Sequence, residues 1–280
     1  KQRYDNKPYG SVMIEIMKRA YQKHPYHWTT IGREEDIKNS TDQDVKEFYE
    51  TFYVPNNAVL TIAGDINKKE TQKLVEKYFG GIPKGTHEMP RPDVKEPPQK
   101  KEVRDTIYDK IQLPAVIQAY HIPAIGTEDY YAVDMLSTLL SGGQSSRLYK
   151  TLVDEKQIAM QVSSYPFPRE DPGLAMTFAL PNVGKDPKAL EEAMNNEISN
   201  VREELISEKE MQKLRNQFES DIINNNATLA RRASNLSTYY TYFNNTNLIN
   251  KQIKKYNEVT REDIKRVANE YLVPENRTVL

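Results

Sequence analysis

The segment running from Thr41-Asp-Gln-Asp-Val-Lys to Val54-Pro-Asn-Asn57 recurs as Thr260-Arg-Glu-Asp-Ile-Lys to Val273-Pro-Glu-Asn276. Thr41, Asp44, Lys46, Val54, Pro55 and Asn57 meet identical residues at Thr260, Asp263, Lys265, Val273, Pro274 and Asn276 without a gap. The offset of 219 residues (260 − 41) is far longer than the roughly 20 to 50 residues of solenoid and propeller repeats, so the repeated unit is a whole domain. A chain of 280 residues is too short for two complete copies. The register therefore predicts that it starts inside the first copy and stops inside the second. Residue 1 stands opposite Ser220, which leaves 101–219 without a counterpart in copy one.

The repeat has a physical meaning at each position. Thr41 and Thr260 are suited to cap a helix, with Asp44 and Asp263 reaching back as in a capping box. The Val-Pro-x-Asn that follows ends the helix, because proline has no amide to donate and biases its predecessor away from helix. Ala58-Val-Leu-Thr-Ile-Ala-Gly64 then reads as a buried strand, and Thr278-Val-Leu280 enters the same strand in copy two.

Five of the sixteen prolines, Pro83, Pro90, Pro92, Pro97 and Pro98, lie in one stretch, which predicts a semi-stiff linker over 81–100. Before it, over 1–80, helices are expected near 8–22, 41–53 and 67–79 around a single strand at 57–65. After it, over 101–280, strands are expected near 101–108, 114–122, 158–165 and 173–180. Helices there are expected near 127–140, 145–155, 187–205, 207–225, 227–244 and 260–271. Ser207-Glu-Lys-Glu210 is a capping box for the helix it opens. The fold class is α+β: tandem homologous αβ domains, each an antiparallel sheet packed with helices, the first truncated at its N-terminal side and the second cut near its last strand. An isolated strand at 57–65 cannot bury its faces and edges alone, so 1–80 is expected to lean on the second domain or on another copy.

Composition narrows the chemistry. A hydrophobic fraction of 38%, a charged fraction of 28% and a net charge of −1 give neither a disordered chain nor a polyanion-binding surface, so nucleic acid is not an expected partner. No run of about 18 apolar residues offers a membrane span. The absence of cysteine removes thiolate ligands, thiol nucleophiles and disulfides, and leaves the compartment open.

Leu140-Ser-Gly-Gly-Gln144 spells a nucleotide-cassette signature, but no Gly-x-x-x-x-Gly-Lys-Ser/Thr loop accompanies it. A helix–helix turn with Ser145 or Ser146 capping the next helix accounts for it better. His24-Pro-Tyr-His27 is the one histidine pair, and Pro25 between its members favours a structural loop over a metal site, although Glu34, Glu35 and Asp36 follow. His87 and His121 have no evident partner. No Gly-x-Ser-x-Gly nucleophile motif occurs, and Glu203-Glu204 reads as a solvated face. Tyr239, Tyr240 and Tyr242 are spaced to pack or to line an interface. The residues assemble no complete catalytic constellation.

Four stretches together resemble bacterial members of the insulinase/pitrilysin superfamily of zinc peptidases, the group that includes the mitochondrial processing peptidase. They are Arg3-Tyr-Asp-Asn-Lys-Pro-Tyr-Gly10, His24-Pro-Tyr-His-Trp-Thr-Thr-Ile-Gly32, Tyr53-Val-Pro-Asn-Asn-Ala58 with Ala63-Gly-Asp65, and Ser141-Gly-Gly-Gln-Ser-Ser-Arg-Leu-Tyr149. The resemblance runs almost end to end in order and spacing. It implies paired αβ domains facing each other across a chamber that takes peptide substrates. It also implies a zinc site in the full-length protein, made by His-x-x-Glu-His and a distal Glu roughly seventy to eighty residues later. Those positions precede the segment equivalent to Lys1-Gln-Arg-Tyr-Asp, so no cofactor or metal is expected in this chain.

Many relatives carry in the second domain an Arg and a Tyr that bind substrate and steady the tetrahedral intermediate. Aligned through Leu148 to Met160, those positions are Val153 and Met160, and neither can donate to an oxyanion. Two functions follow from the resemblance. One is a catalytically incomplete portion of a zinc metalloendopeptidase that encloses and cleaves peptides, working with a homologous subunit that bears the Arg/Tyr pair or by self-association. The other is a non-catalytic structural or substrate-holding subunit of such a complex. The compartment, cytoplasmic or periplasmic, stays open.

Overall fold

The computed structural model describes residues 7–280, so Arg3 to Asn6 of the first resembling stretch lie outside the described residues. The chain forms two compact units, each gathered from segments distant in sequence. The first unit gathers the described residues up to Ile31 with Val94–Phe218 and Lys254–Leu280. The second gathers Gly32–Asp93 and Glu219–Ile253.

The first unit is built on five strands: β1 (Val103–Arg104), β2 (Val116–Ile122), β3 (Ala159–Phe167), β4 (Gly173–Pro181) and β5 (Arg277–Val279). Their order is β1-β5-β2-β4-β3. β2 pairs antiparallel with both β4 and β5, and β3 pairs antiparallel with β4. β1 runs parallel to β5, so the sheet is mixed rather than wholly antiparallel. A hairpin fixes antiparallel neighbours, whereas β1 and β5 are far apart in sequence and no turn constrains their direction.

Side chains alternate across β2, and both of its faces are covered. Ile117 and Ala119, with Leu174 and Met176 of β4, receive Ile16, Met17, Ala20 and Tyr21 of helix α1 (Val12–Ala20) and the turn after it. Each large side chain so buried is worth about 1.5–3 kcal/mol. The opposite face is covered by α5 (Glu128–Ser141), α6 (Pro187–Glu203) and α10 (Arg261–Tyr271). α7 (Glu208–Asn225) opens at Ser207, whose Oγ accepts from the Glu210 amide at 3.2 Å while Glu210 accepts from the Ser207 amide at 2.9 Å, the predicted capping box.

The second unit holds α2 (Glu34–Asn39), α3 (Asp42–Phe52), α4 (Lys68–Phe79), the end of α7 and α8 (Leu229–Phe243). α9 (Gln252–Glu258) carries the chain back to the first unit.

The repeat is visible as geometry. α3 and α10 begin at Thr41 and Thr260 with complete capping boxes, and each ends before a one-turn 3-10 helix, Pro55–Asn57 or Pro274–Asn276. Asn57 Nδ2 donates to the Phe52 carbonyl at 2.9 Å, and Asn276 Nδ2 donates to the equivalent Tyr271 carbonyl at 2.8 Å. The recurring asparagine closes the same helix end in both places.

Three expectations need correction. No strand forms at 57–65: among the described residues this run has no ladder partner, and Leu60 is 56% exposed where its counterpart Val279 is 2% exposed between β1 and β2. An extended apolar segment becomes a strand only where another strand accepts its backbone. The strand expected at 101–108 shrinks to Val103–Arg104, because Asp105 and Asp109 accept from the Thr106 and Lys110 amides and turn the chain out of the ladder. The helix expected at 145–155 is a π-helix over Tyr149–Glu155, with the Lys156 amide reaching the Thr151 carbonyl at 3.0 Å.

Candidate functional site

The two positions that the resemblance marks, Val153 and Met160, both sit at irregularities of the backbone. Val153 lies half-buried within the π-helix. Met160 lies in a β-bulge, where the β3–β4 register slips between Ala159 and Gln161, and it is 52% exposed on the edge strand. The π-helix packs against β3. Both irregularities re-aim side chains, and both recur beside functional sites. Here the re-aimed side chains are an isopropyl group and a thioether, which supply no proton to a developing oxyanion.

The turn between α5 and the π-helix is the helix–helix connection expected for Leu140-Ser-Gly-Gly-Gln144. Gly143 has φ +99°, and a Cβ on Gly142 would meet the Thr138 carbonyl oxygen at 2.5 Å, so both glycines are required by the backbone. Ser146 does not cap by accepting. Its hydroxyl donates back to the Gly143 carbonyl at 2.6 Å. Arg147, next in the chain, makes a two-point pair with Glu210 at 2.8 and 3.1 Å. Burial alone would raise the Glu210 carboxyl, yet Arg147 and the Ser207 cap hold it down at about 2. Arg147 is thus committed to fastening the turn to α7.

The histidines serve the loop after α1. His24 is buried, with Nδ1 accepting from the Tyr26 amide at 3.2 Å; the proton then sits on Nε2, 3.3 Å from Asp171. His27 Nδ1 meets the Tyr21 carbonyl at 2.7 Å, and His121 Nε2 meets the Ala20 carbonyl at 2.8 Å. Burial lowers the pKa of His121. His24 and His27 therefore have separate partners and do not converge. Among the described residues no three of His, Cys, Asp and Glu come together as a metal site, and no helix is long and apolar enough to cross a membrane. Tyr240 and Tyr242 stay half-exposed on α8, with Tyr239 and Tyr242 beside Phe243.

Sequence reasoning missed a polar network on the helix-covered face of the sheet. Arg277 of β5, 9% exposed, donates to Glu102 and to Asn195, which also accepts from Gln118 at 2.8 Å. Arg104 joins Glu102 to Glu191. Every charge finds an opposite one, so the network locks β1, β5 and α6 together. Its only sequence signal was the Glu102/Arg104 spacing at the start of β1.

The mixed sheet with helices on both faces is the fold of a peptidase-like domain. The chain belongs to the peptidase M16 inactive-domain family, whose model matches residues 39–218. It is 33% identical to the zinc protease PqqE of Helicobacter pylori over 276 residues, covering 96% of this chain and 61% of that protein. It is 23% identical to the uncharacterized zinc protease YmxG of Bacillus subtilis, over 83% of this chain and 56% of that one. The crystal structure of a protease from Helicobacter pylori matches with a TM-score of 0.89 and 30% identity, covering 99% of this chain and 67% of that chain. A peptidase M16 inactive domain from Pseudomonas fluorescens shares the fold, with a TM-score of 0.81 at 19% identity, over 99% of this chain and 66% of that one. The chain spans about three fifths of the length of these curated relatives.

Proposed function

We propose that the chain is the catalytically incomplete portion of a zinc metalloendopeptidase of the insulinase and processing-peptidase type, which in its full-length form encloses and cleaves peptides. The observation that carries this is the pairing of family membership with Val153 and Met160 at two re-aimed backbone positions where a donor would act. Zinc belongs to the full-length protein, as the names of the relatives suggest. The working partner is a homologous subunit that supplies the Arg/Tyr pair, or a second copy.

The same proposal divides the chain into the C-terminal part of a first peptidase-like domain at 1–80, a linker at 81–100 and a second, non-catalytic domain at 101–280. The repeat supports it. Ile264, Val267 and Ala268 of α10 are fully buried under α5 and α6, while their counterparts on α3, Val45, Phe48 and Tyr49, are 63%, 57% and 61% exposed. The apolar stripe recurs in both segments, and among the described residues it is covered on α10 and exposed on α3.

Val153 and Met160 equally fit a non-catalytic, substrate-holding subunit. Reading the coding sequence before Lys1 separates the two: His-x-x-Glu-His roughly eighty residues upstream favours the peptidase, and its absence favours the subunit. The 280-residue chain alone is expected to bind no zinc stoichiometrically and to leave a quenched fluorescent peptide uncut. One tightly held zinc per chain, or turnover, overturns the proposal.

A further inference from the structure

The chain passes between the two compact units four times, after Ile31, Asp93, Phe218 and Ile253. On the first unit these crossings come in pairs, and each pair is fastened by one carboxylate. Glu96, just past the second crossing, accepts from the amides of Gln22, Lys23 and His24 at 2.8, 2.9 and 2.8 Å, on the segment leading to the first. Phe218, at the third crossing, stacks on Tyr256 just past the fourth, with ring centroids 4.3 Å apart and planes 23° from parallel. The Tyr256 hydroxyl donates to Asp134 of α5 at 2.6 Å, which ties that stack to the core of the first unit.

We propose that Glu96 and the Asp134–Tyr256–Phe218 stack are two separate pins within the first unit, each fastening one pair of chain segments and each able to open without the other. Neither pin draws on the peptidase reading. Each lies wholly within the first unit, and each joins segments distant in sequence that otherwise meet the sheet through separate helices. Around the Glu96 pin, His24 and Tyr26 also reach Asp171, and around the other pin Tyr131 packs edge-on against Tyr256 with centroids 5.0 Å apart; both clusters are small beside the sheet core, so local opening there lies below global unfolding.

The surroundings give the pins opposite responses to acid. Burial would raise the Glu96 carboxyl, but the three amides, with His121 nearby, hold it below the ordinary range. Its contribution is present above the unfolded value of 4.5 and is lost as pH falls through its lowered value. Asp134 is pushed up by burial to about 6, against the pull of the Tyr256 hydroxyl. Its contribution is complete below 3.8 and is lost as pH rises through about 6. The groups facing this pin are Tyr130 and Tyr131 on α5, Lys255 over the Tyr131 ring on α9, and Arg215 of α7, whose Nη2 is bonded to the Val259 carbonyl. From α10, Asp263 and Arg266 line the cleft beside Tyr131. None makes an ion pair with Asp134 among the described residues.

Hydrogen exchange on the whole chain, read by mass spectrometry and corrected for intrinsic rates, tests this. Glu96→Gln replaces one of the two accepting oxygens with an NH2 that cannot accept, and should speed exchange at 22–24 by about tenfold or more while 252–258 keeps its wild-type rate. Phe218→Leu should do the reverse. In the wild type, protection of 252–258 should fall by about ten- to hundredfold between pH 4 and pH 8 while 22–24 does not lose protection, and Asp134→Asn should flatten that profile. If either variant fails to fold, the wild-type pH profiles decide. Equal changes in both regions, or no pH difference between them, overturn the proposal.

Discussion

At the scale of the residue, the most consequential side chain is Asp134, an acid held by one tyrosine in a nest of rings. Its folded pKa of about 6 lies above the 3.8 of the free group, so the folded state holds the extra proton and stability falls as pH rises between those values. Asp134→Asn cannot ionise and still accepts from Tyr256. It should be more stable than the wild type by on the order of 1–3 kcal/mol at pH 8 and indistinguishable at pH 4, in paired urea titrations. A variant less stable at pH 8 would sink this. Nothing in the sequence marked Asp134, because its environment is assembled from α5, α7 and α9, which only the fold brings together. Thr41, Asp44, Thr260 and Asp263 were legible for the opposite reason: a capping box is complete within four residues. His24 and His27 were legible as a loop through Pro25, although no local pattern announced Asp171 or Tyr21 as their partners.

Elements tell the same story at longer range. Helix positions were readable wherever a cap and a periodic face coincided, as in α3, α4 and α10. The run 57–65 has as good a strand sequence as β5, and α10's counterpart α3 has as good an apolar face. What differs is whether a neighbour exists, which no local pattern encodes. The π-helix at 149–155 and the bulge at Met160 were invisible likewise, since each is one residue of slippage forced by packing. The helix with most to lose is α1. Ile16 is 0% and Met17 1% exposed against the sheet, and neither lies on the same side of the linker as its partners. Met17→Ala should cost about 2–5 kcal/mol in chemical denaturation, the range for emptying a filled core position. A cost under about 1 kcal/mol would mean that α1 only rests on the surface.

For the whole molecule, composition had pointed to an ordinary globular protein and the order of predicted elements to an α+β fold, and the mixed sheet with its helices agrees with that outline. The compact units were not legible, because each is assembled from segments distant in sequence: 7–31 joins the sheet, and 219–253 joins 32–93. At the 219-residue offset, α1 corresponds to part of α8, and Ser237 of α8 meets Thr61 at 2.7 Å, in the run that corresponds to β5. A protein engineer choosing where to cut would pick the proline-rich linker, and the packing of α1 on the sheet makes that a poor place. Residues 101–280 expressed alone should come out insoluble, or bind a hydrophobic dye, with Ile117, Ala119, Leu174 and Met176 left bare; adding a peptide that spans α1 should reverse it. A monomeric, dye-silent 101–280 would remove the basis for that expectation. Because α1 and the sheet share one core across the linker, a cut there parts a core from its own cover.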